Sequence, residues 1–138
     1  MSDLPPPPTV WPSLKARDAR AMIRFLVDVL GFEETIVYGD GDHVDHAELA
    51  WPLGGGVMLG SPDDPGDPHG QPLHVPGSFA CYVVTDDVDA LFERAQAAGV
   101  EAELPPYDTD YGSRDVRFRD PEGNRWSFGT YAGHPRQG

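Results

Sequence analysis

The chain has a single cysteine, Cys81, in 138 residues. It can close no intrachain disulfide and build no thiolate cage, which excludes a disulfide-stapled fold and a zinc finger. Basic residues are scarce too: 10 Lys and Arg stand against 23 Asp and Glu, a formal charge of −13. Such a field repels a phosphate backbone, so nucleic acid is not an expected partner. It either attracts a cationic small molecule or simply keeps the protein in solution. No stretch approaches the about 18 apolar residues of a membrane span. The opening MSDLPPPPT lacks the basic and apolar regions of a signal peptide. A cytoplasmic, soluble protein with no membrane partner is therefore expected. What the chain does have is a 39% share of hydrophobic residues, enough for a core within one domain's length.

Residues 1–8 end in the run Pro5 to Pro8 and read as a flexible, extended arm. After an extended stretch from Val10 to Lys15, Asp18 caps a helix whose apolar face is Ala19, Met22, Ile23, Leu26, Val29 and Leu30, with Gly31 as its terminator. Two strands around the turn Gly39-Asp40-Gly41-Asp42 and a short strand from Val57 to Leu59 follow. Gly54 to Gly56 lack a following Lys-Ser or Lys-Thr and read as a hairpin turn, not a phosphate loop. Residues 61–78 hold five prolines and three glycines and read as a linker.

The pattern then restarts. FACYVVT is a strand, and DDVDALFERAQAAGV is a helix with Val88, Leu91, Phe92, Ala95 and Ala98 on one face. Asp86 follows Asp18 by 68 residues, and Gly99 follows Gly31 by 68, which points to a duplicated unit. A strand from Glu101 to Leu104, a tyrosine-rich loop, the strand SRDVRFR, the turn Asp120-Pro121-Glu122-Gly123 and the strand NRWSFGTY complete the second half. The expected fold class is α+β, with a βαβββ module over 9–60, a second over 79–132 and a tail over 133–138.

VLGF at Val29 to Phe32, VVTDDVDALFERAQAAGV and above all DPEGNRW from Asp120 to Trp126 resemble the vicinal oxygen chelate superfamily. Within it the chain looks most like the glyoxalase and bleomycin-resistance group, near its metal-free PhnB-like members. The resemblance implies curled mixed sheets around a cleft, as in the glyoxalase/bleomycin resistance/dihydroxybiphenyl dioxygenase fold. It also implies a homodimer, with modules paired within a chain or swapped between chains. The superfamily's metal enzymes take ligands from the first and fourth strands of each module, which places the corresponding positions at Trp11, Met58, Phe79 and Ser127. An indole, a thioether, a phenyl ring and a hydroxyl make no divalent site, so no metal and no cofactor are expected.

Rings and a thioether in place of ligands turn a chelating pocket into an apolar slot suited to an aromatic ligand, a cationic one being favoured by the charge. Its expected lining is Trp11, Trp51, Met58, Phe79, Cys81, Tyr107, Tyr111 and Ser127. Sequestration of a small molecule is the first functional reading. The second is an enzyme, a glyoxalase-type lyase or isomerase with a relocated metal, for which His46, Glu48 and Tyr111 are the candidates. His46 and Glu48 share a face of one strand. Trp126 and Phe128 alternate with Ser127 and are expected in the core. Arg114 and Arg117 pair either with the acidic surface or with a ligand anion, alternatives the sequence leaves open.

Overall fold

The computed structural model describes residues 6–71 and 73–136. The first five residues of the proposed arm, Pro72 of the linker and the last two residues of the tail lie outside them. Two four-stranded mixed sheets carry the fold. The first has β1 (Ser13–Lys15), β2 (Glu33–Asp40), β3 (His43–Ala50) and β4 (Gly56–Gly60) in the order β1-β4-β3-β2. The second has β5 (Ala80–Val84), β6 (Leu104–Asp108), β7 (Arg114–Arg119) and β8 (Arg125–Gly129) in the order β5-β8-β7-β6. Each first strand runs parallel to the fourth, and the remaining pairs are antiparallel. The chain is thus two βαβββ modules, the α+β architecture expected from the repeat. No helix among the described residues is long and apolar enough to cross a membrane.

The helices refine that repeat. Asp18 caps α1 (Ala19–Arg24) by accepting from the Ala21 N–H at 3.0 Å, and Asp87 caps α2 (Val88–Ala97) by accepting from the Ala90 N–H at 2.9 Å. The cap is Asp87, not Asp86, so the helices begin 69 residues apart, while Gly31 and Gly99, both at positive φ, end them 68 apart. The extra residue in the first helix is absorbed by a π-helical turn over Phe25–Val29, where the Leu30 N–H donates to the Phe25 carbonyl five residues back. The strands keep the 69-residue offset. Ser13 pairs with Met58 as Tyr82 pairs with Ser127, and Glu48 pairs with Met58 as Arg117 pairs with Ser127.

Both helices lie on one side of their sheets, and the buried residues of both modules form one cluster. Met22, Leu26 and Leu30 from the first helix meet Val44, Leu49 and Leu59, and Val88 and Leu91 meet Val116, Phe118, Trp126 and Phe128. Ring packing and hydrogen bonds join the modules. The Phe32 ring meets Trp126 edge-on at 5.7 Å, Trp51 packs against Phe128 at 5.4 Å, and the Trp51 Nε1–H donates to the Val84 carbonyl at 2.7 Å. At the far side, Glu122 accepts from the backbone N–H groups of Arg17 and Asp18.

The turn Asp120-Pro121-Glu122-Gly123 is built on one side chain. The buried Asp120 carboxylate accepts from the N–H groups of Glu122 and Asn124, from Asn124 Nδ2 and from Trp126 Nε1. Asn124 Oδ1 in turn accepts from the N–H groups of Gly77 and Phe79, which anchors the end of segment 61–78 to this turn. The other end is held by Ser61, which exchanges hydrogen bonds with Val44, and by the Lys15–Asp63 ion pair at 3.2 Å.

The second strand of the second module runs later than expected. β6 covers Leu104–Asp108, not Glu101 to Leu104, so Tyr107 belongs to a strand and pairs with Asp115. Pro105 and Pro106 masked it in the sequence. They are tolerated because β6 is an edge strand whose missing N–H donors break no inner ladder, and its register slips between Leu104 and Tyr107.

Candidate functional site

Strand alternation gives each sheet a helix-packed face and an open face. On the second sheet the open face carries Ala80 and Tyr82 from β5, Asp115, Arg117 and Arg119 from β7, and Arg125 and Ser127 from β8. Tyr107 and Tyr111 stand over it, and a depression of about 460 Å³ lies among Tyr82, Tyr107, Tyr111, Asp115, Arg117 and Ser127. Tyr82, Tyr107 and Tyr111 are 45%, 40% and 63% exposed, an unusual amount of ring surface to leave in water. The depression is organised from below. Gly129 has no side chain, and a Cβ there would collide with the Asp115 carboxylate and the Tyr82 hydroxyl. Ser113 Oγ donates to Asp115 Oδ1 at 2.6 Å, and the Tyr82 hydroxyl donates to the Tyr131 carbonyl at 2.7 Å. Burial pushes the Tyr82 phenol above its ordinary range, and Asp115 adds to the shift, so Tyr82 is a neutral hydroxyl at physiological pH.

On the first sheet the open face holds Ser13, Met58 and Glu48 in one row, with His46 beside them. His46 Nε2 and Glu48 Oε2 are 2.8 Å apart. Trp11 reaches this face across Gly56, where a Cβ would come within 2.8 Å of the indole. Its Nε1–H donates to the Pro8 carbonyl at 3.2 Å.

The expected lining is therefore divided between places. Ser127, Tyr107 and Tyr111 come together on the second sheet, with Cys81 at the edge of the depression. Met58, Trp11, His46 and Glu48 come together on the first. Trp51 sits at the junction of the modules and, with Phe32, Cys81 and Tyr82, lines a separate groove of about 370 Å³. Phe79 packs toward the helix side, 5.6 Å from the Trp126 ring and 6.2 Å from His74. By the 69-residue offset the counterpart of Trp11 is Ala80, one residue further on, and a one-residue slip turns a strand residue to the opposite face. Burial raises the Cys81 thiol pKa, which leaves it a poor nucleophile. Trp126 and Phe128 are fully buried.

The structure also separates the two arginines. Arg114 is committed within the protein, its guanidinium donating to both oxygens of Asp89 and to Asp108, and these carboxylates hold it firmly charged. Arg117 lies on the open face. Sequence reasoning passed over Tyr82, Asp115 and Arg125, although the period-two spacing of Tyr82 from Ala80 and of Arg125 from Ser127 carried the signal.

Neither open face offers a divalent cation a fitting donor set. Trp11, Met58, Ala80 and Ser127 supply one hydroxyl and one thioether, and His46 with Glu48 is a pair without a third partner: among the described residues no three His, Cys, Asp or Glu side chains converge.

Comparison with known proteins agrees with this architecture. TioX from Micromonospora sp. ML1 has a similar structure, with a TM-score of 0.69 and 30% identity over 85% of this chain and 93% of that one. TnmS3, an antibiotic binding protein from Streptomyces sp. CB03234, gives a TM-score of 0.63 and 27% identity, covering 84% of this chain and 88% of that one. A lactoylglutathione lyase from Agrobacterium tumefaciens gives 0.68 and 27%, covering 91% and 94%. CFP32 of Mycobacterium bovis is 28% identical over 115 residues, which are 82% of this chain but 41% of that protein. Residues 10–128 match the family model for the Glyoxalase/Bleomycin resistance protein/Dioxygenase superfamily, and with its two βαβββ modules the chain belongs to that family.

Proposed function

We propose that this chain binds and sequesters an aromatic small molecule on the open face of its second sheet, with no metal and no covalent step, as the metal-free PhnB-like group would. The observation that carries this reading is the depression walled by Tyr82, Tyr107 and Tyr111 over Ser127 and Gly129: stacking surfaces around a floor without a metal donor set. The likeness to an antibiotic-binding protein supports it. The reading includes a cytoplasmic homodimer, without nucleic acid or membrane as partner. Both open faces remain uncovered in one chain, Tyr38 on the first being 57% exposed, and a second copy would lay the Met58 face of one chain over the Ser127 face of the other. Light scattering at tens of micromolar protein is expected to give twice 15.0 kDa, and a monomer mass would remove this element.

Calorimetric titration with anthraquinone derivatives tests the binding itself. Saturable binding is expected, weakened about tenfold by Tyr107→Ala, which removes about 1.4 kcal/mol of stacking. Absence of binding by any planar aromatic would sink the proposal. A glyoxalase-type lyase or isomerase is the second reading, favoured by the His46–Glu48 hydrogen bond on the first sheet and by the likeness to a lactoylglutathione lyase. A stoichiometric metal in purified protein, together with hemithioacetal isomerisation lost in His46→Ala, would establish it instead.

A further inference from the structure

Three of the chain's 10 basic residues converge on one end of the second sheet's open face, in a protein whose formal charge is −13. Arg117 and Arg119 alternate on β7, and Arg119 lies directly across from Arg125 on β8. Like charges in cross-strand pairs destabilise a sheet, so such a cluster needs a counter-charge. One carboxylate supplies it. Glu103 accepts from Arg119 and Arg117 and stands 3.8 Å from Arg125, and these arginines, Arg119 foremost, hold its carboxyl below the ordinary range. Three guanidiniums against one carboxylate leave two positive charges in excess. The other acid on this face, Asp115, is buried further along it and bonded to Ser113.

The arginines are not equally occupied. Arg119 donates to the Gly123 carbonyl at 2.6 Å as well as to Glu103. Arg117 spends one N–H on Glu103 at 3.2 Å, and among the described residues the Arg125 side chain makes only the long 3.8 Å ion pair. Each guanidinium has five donors in a fixed fork suited to planar anions. Both side chains line the same depression as Tyr82, Tyr107 and Tyr111.

We propose that the ligand of this depression is an aromatic compound bearing an anionic group, a carboxylate or its like, and that Arg117 and Arg125 receive that group while the tyrosines stack on the rings. This rests on the reading of the second sheet as the ligand's seat and adds the ligand's charge. The chain's net charge does not set the sign of the ligand here, because screening cuts the reach of distant charges to about 8 Å at physiological salt and the nearest charges at this end are arginines.

Titration of anthraquinone-2-carboxylate against anthraquinone-2-carboxamide separates the two layers. Wild-type protein is expected to bind the acid at least tenfold tighter than the amide, and added salt should erode that preference. The Arg117→Gln/Arg125→Gln variant should bring the two compounds within about threefold, because the charged hydrogen bonds that tell the acid from the amide are then lost. Arg17→Gln, an exposed arginine outside the depression, should leave the preference intact. Acid and amide binding equally to the wild type would overturn the anion site and leave aromatic binding standing. So would a preference that survives the double variant, or a double variant that changes only the oligomeric mass, which would assign the arginines to a second copy's carboxylates. Failure of both compounds to bind removes the anion site together with the reading it rests on.

Discussion

Asp120→Ala is expected to lower the free energy of unfolding by about 3–5 kcal/mol, the effect of orphaning several buried donors at about 1–3 kcal/mol each. Trp126 and Asn124, which donate to this carboxylate, are 0% and 1% exposed, so water cannot take its place without rearrangement. The loss spreads, because Asn124 oriented by Asp120 also receives the N–H groups of Gly77 and Phe79 at the entrance to β5. Urea denaturation followed by circular dichroism measures it. Asp120→Asn, which keeps one acceptor oxygen, should fall between wild type and alanine. A loss below 1 kcal/mol for the alanine variant would show that the turn does not depend on this residue.

Trp51→Ala should cost a similar amount, about 3–5 kcal/mol, as expected when a large aromatic is removed from packed surroundings. The indole lies 4.9 Å from the Phe32 ring and 5.4 Å from Phe128, and its Nε1–H holds the Val84 carbonyl of β5. Because Trp51 follows β3 while Val84 and Phe128 belong to the second module, the variant should also loosen the joint between modules. Near-ultraviolet and far-ultraviolet unfolding curves that coincide in the wild type should then separate. Trp51→Phe keeps the ring contacts and loses the hydrogen bond, so about 1–2 kcal/mol is expected. A fully stable, cooperative Trp51→Ala protein would mean that the groove beside it, not the junction, is the reason for this tryptophan.

Both residues show how unevenly the sequence speaks. Asp120 was legible as the first position of a tight turn, because turn chemistry is local. Its further bonds to Asn124 and Trp126 were not, since they depend on a hairpin bringing β8 back beside the turn. Trp51 read as a cleft wall because a tryptophan at a strand end is compatible with several surroundings. Its partners lie 33 and 77 positions further along the chain, at Val84 and Phe128, and no local pattern names them.

The two-module architecture was legible from local signals alone. Caps, apolar stripes at helical spacing and terminating glycines are short-range signals, and they recur twice in the same order. For the metal-ligand positions that the resemblance implies, the sequence supplied an expectation only: Met58 and Ser127 offer a thioether and a neutral hydroxyl, poor donors for a divalent cation. The tertiary structure decided what the faces carry. Side chains alternate along a strand with a period of two, so the single residue absorbed by the π-helical turn at Phe25–Val29 is enough to confuse Phe79, half-buried against the core, with Ala80, which is exposed on the opposite face. Only strand pairing, which is non-local, put Tyr82 beside Ser127 and Arg119 beside Arg125, and gathered on one face of an acidic protein the arginines that a count of charges had averaged away.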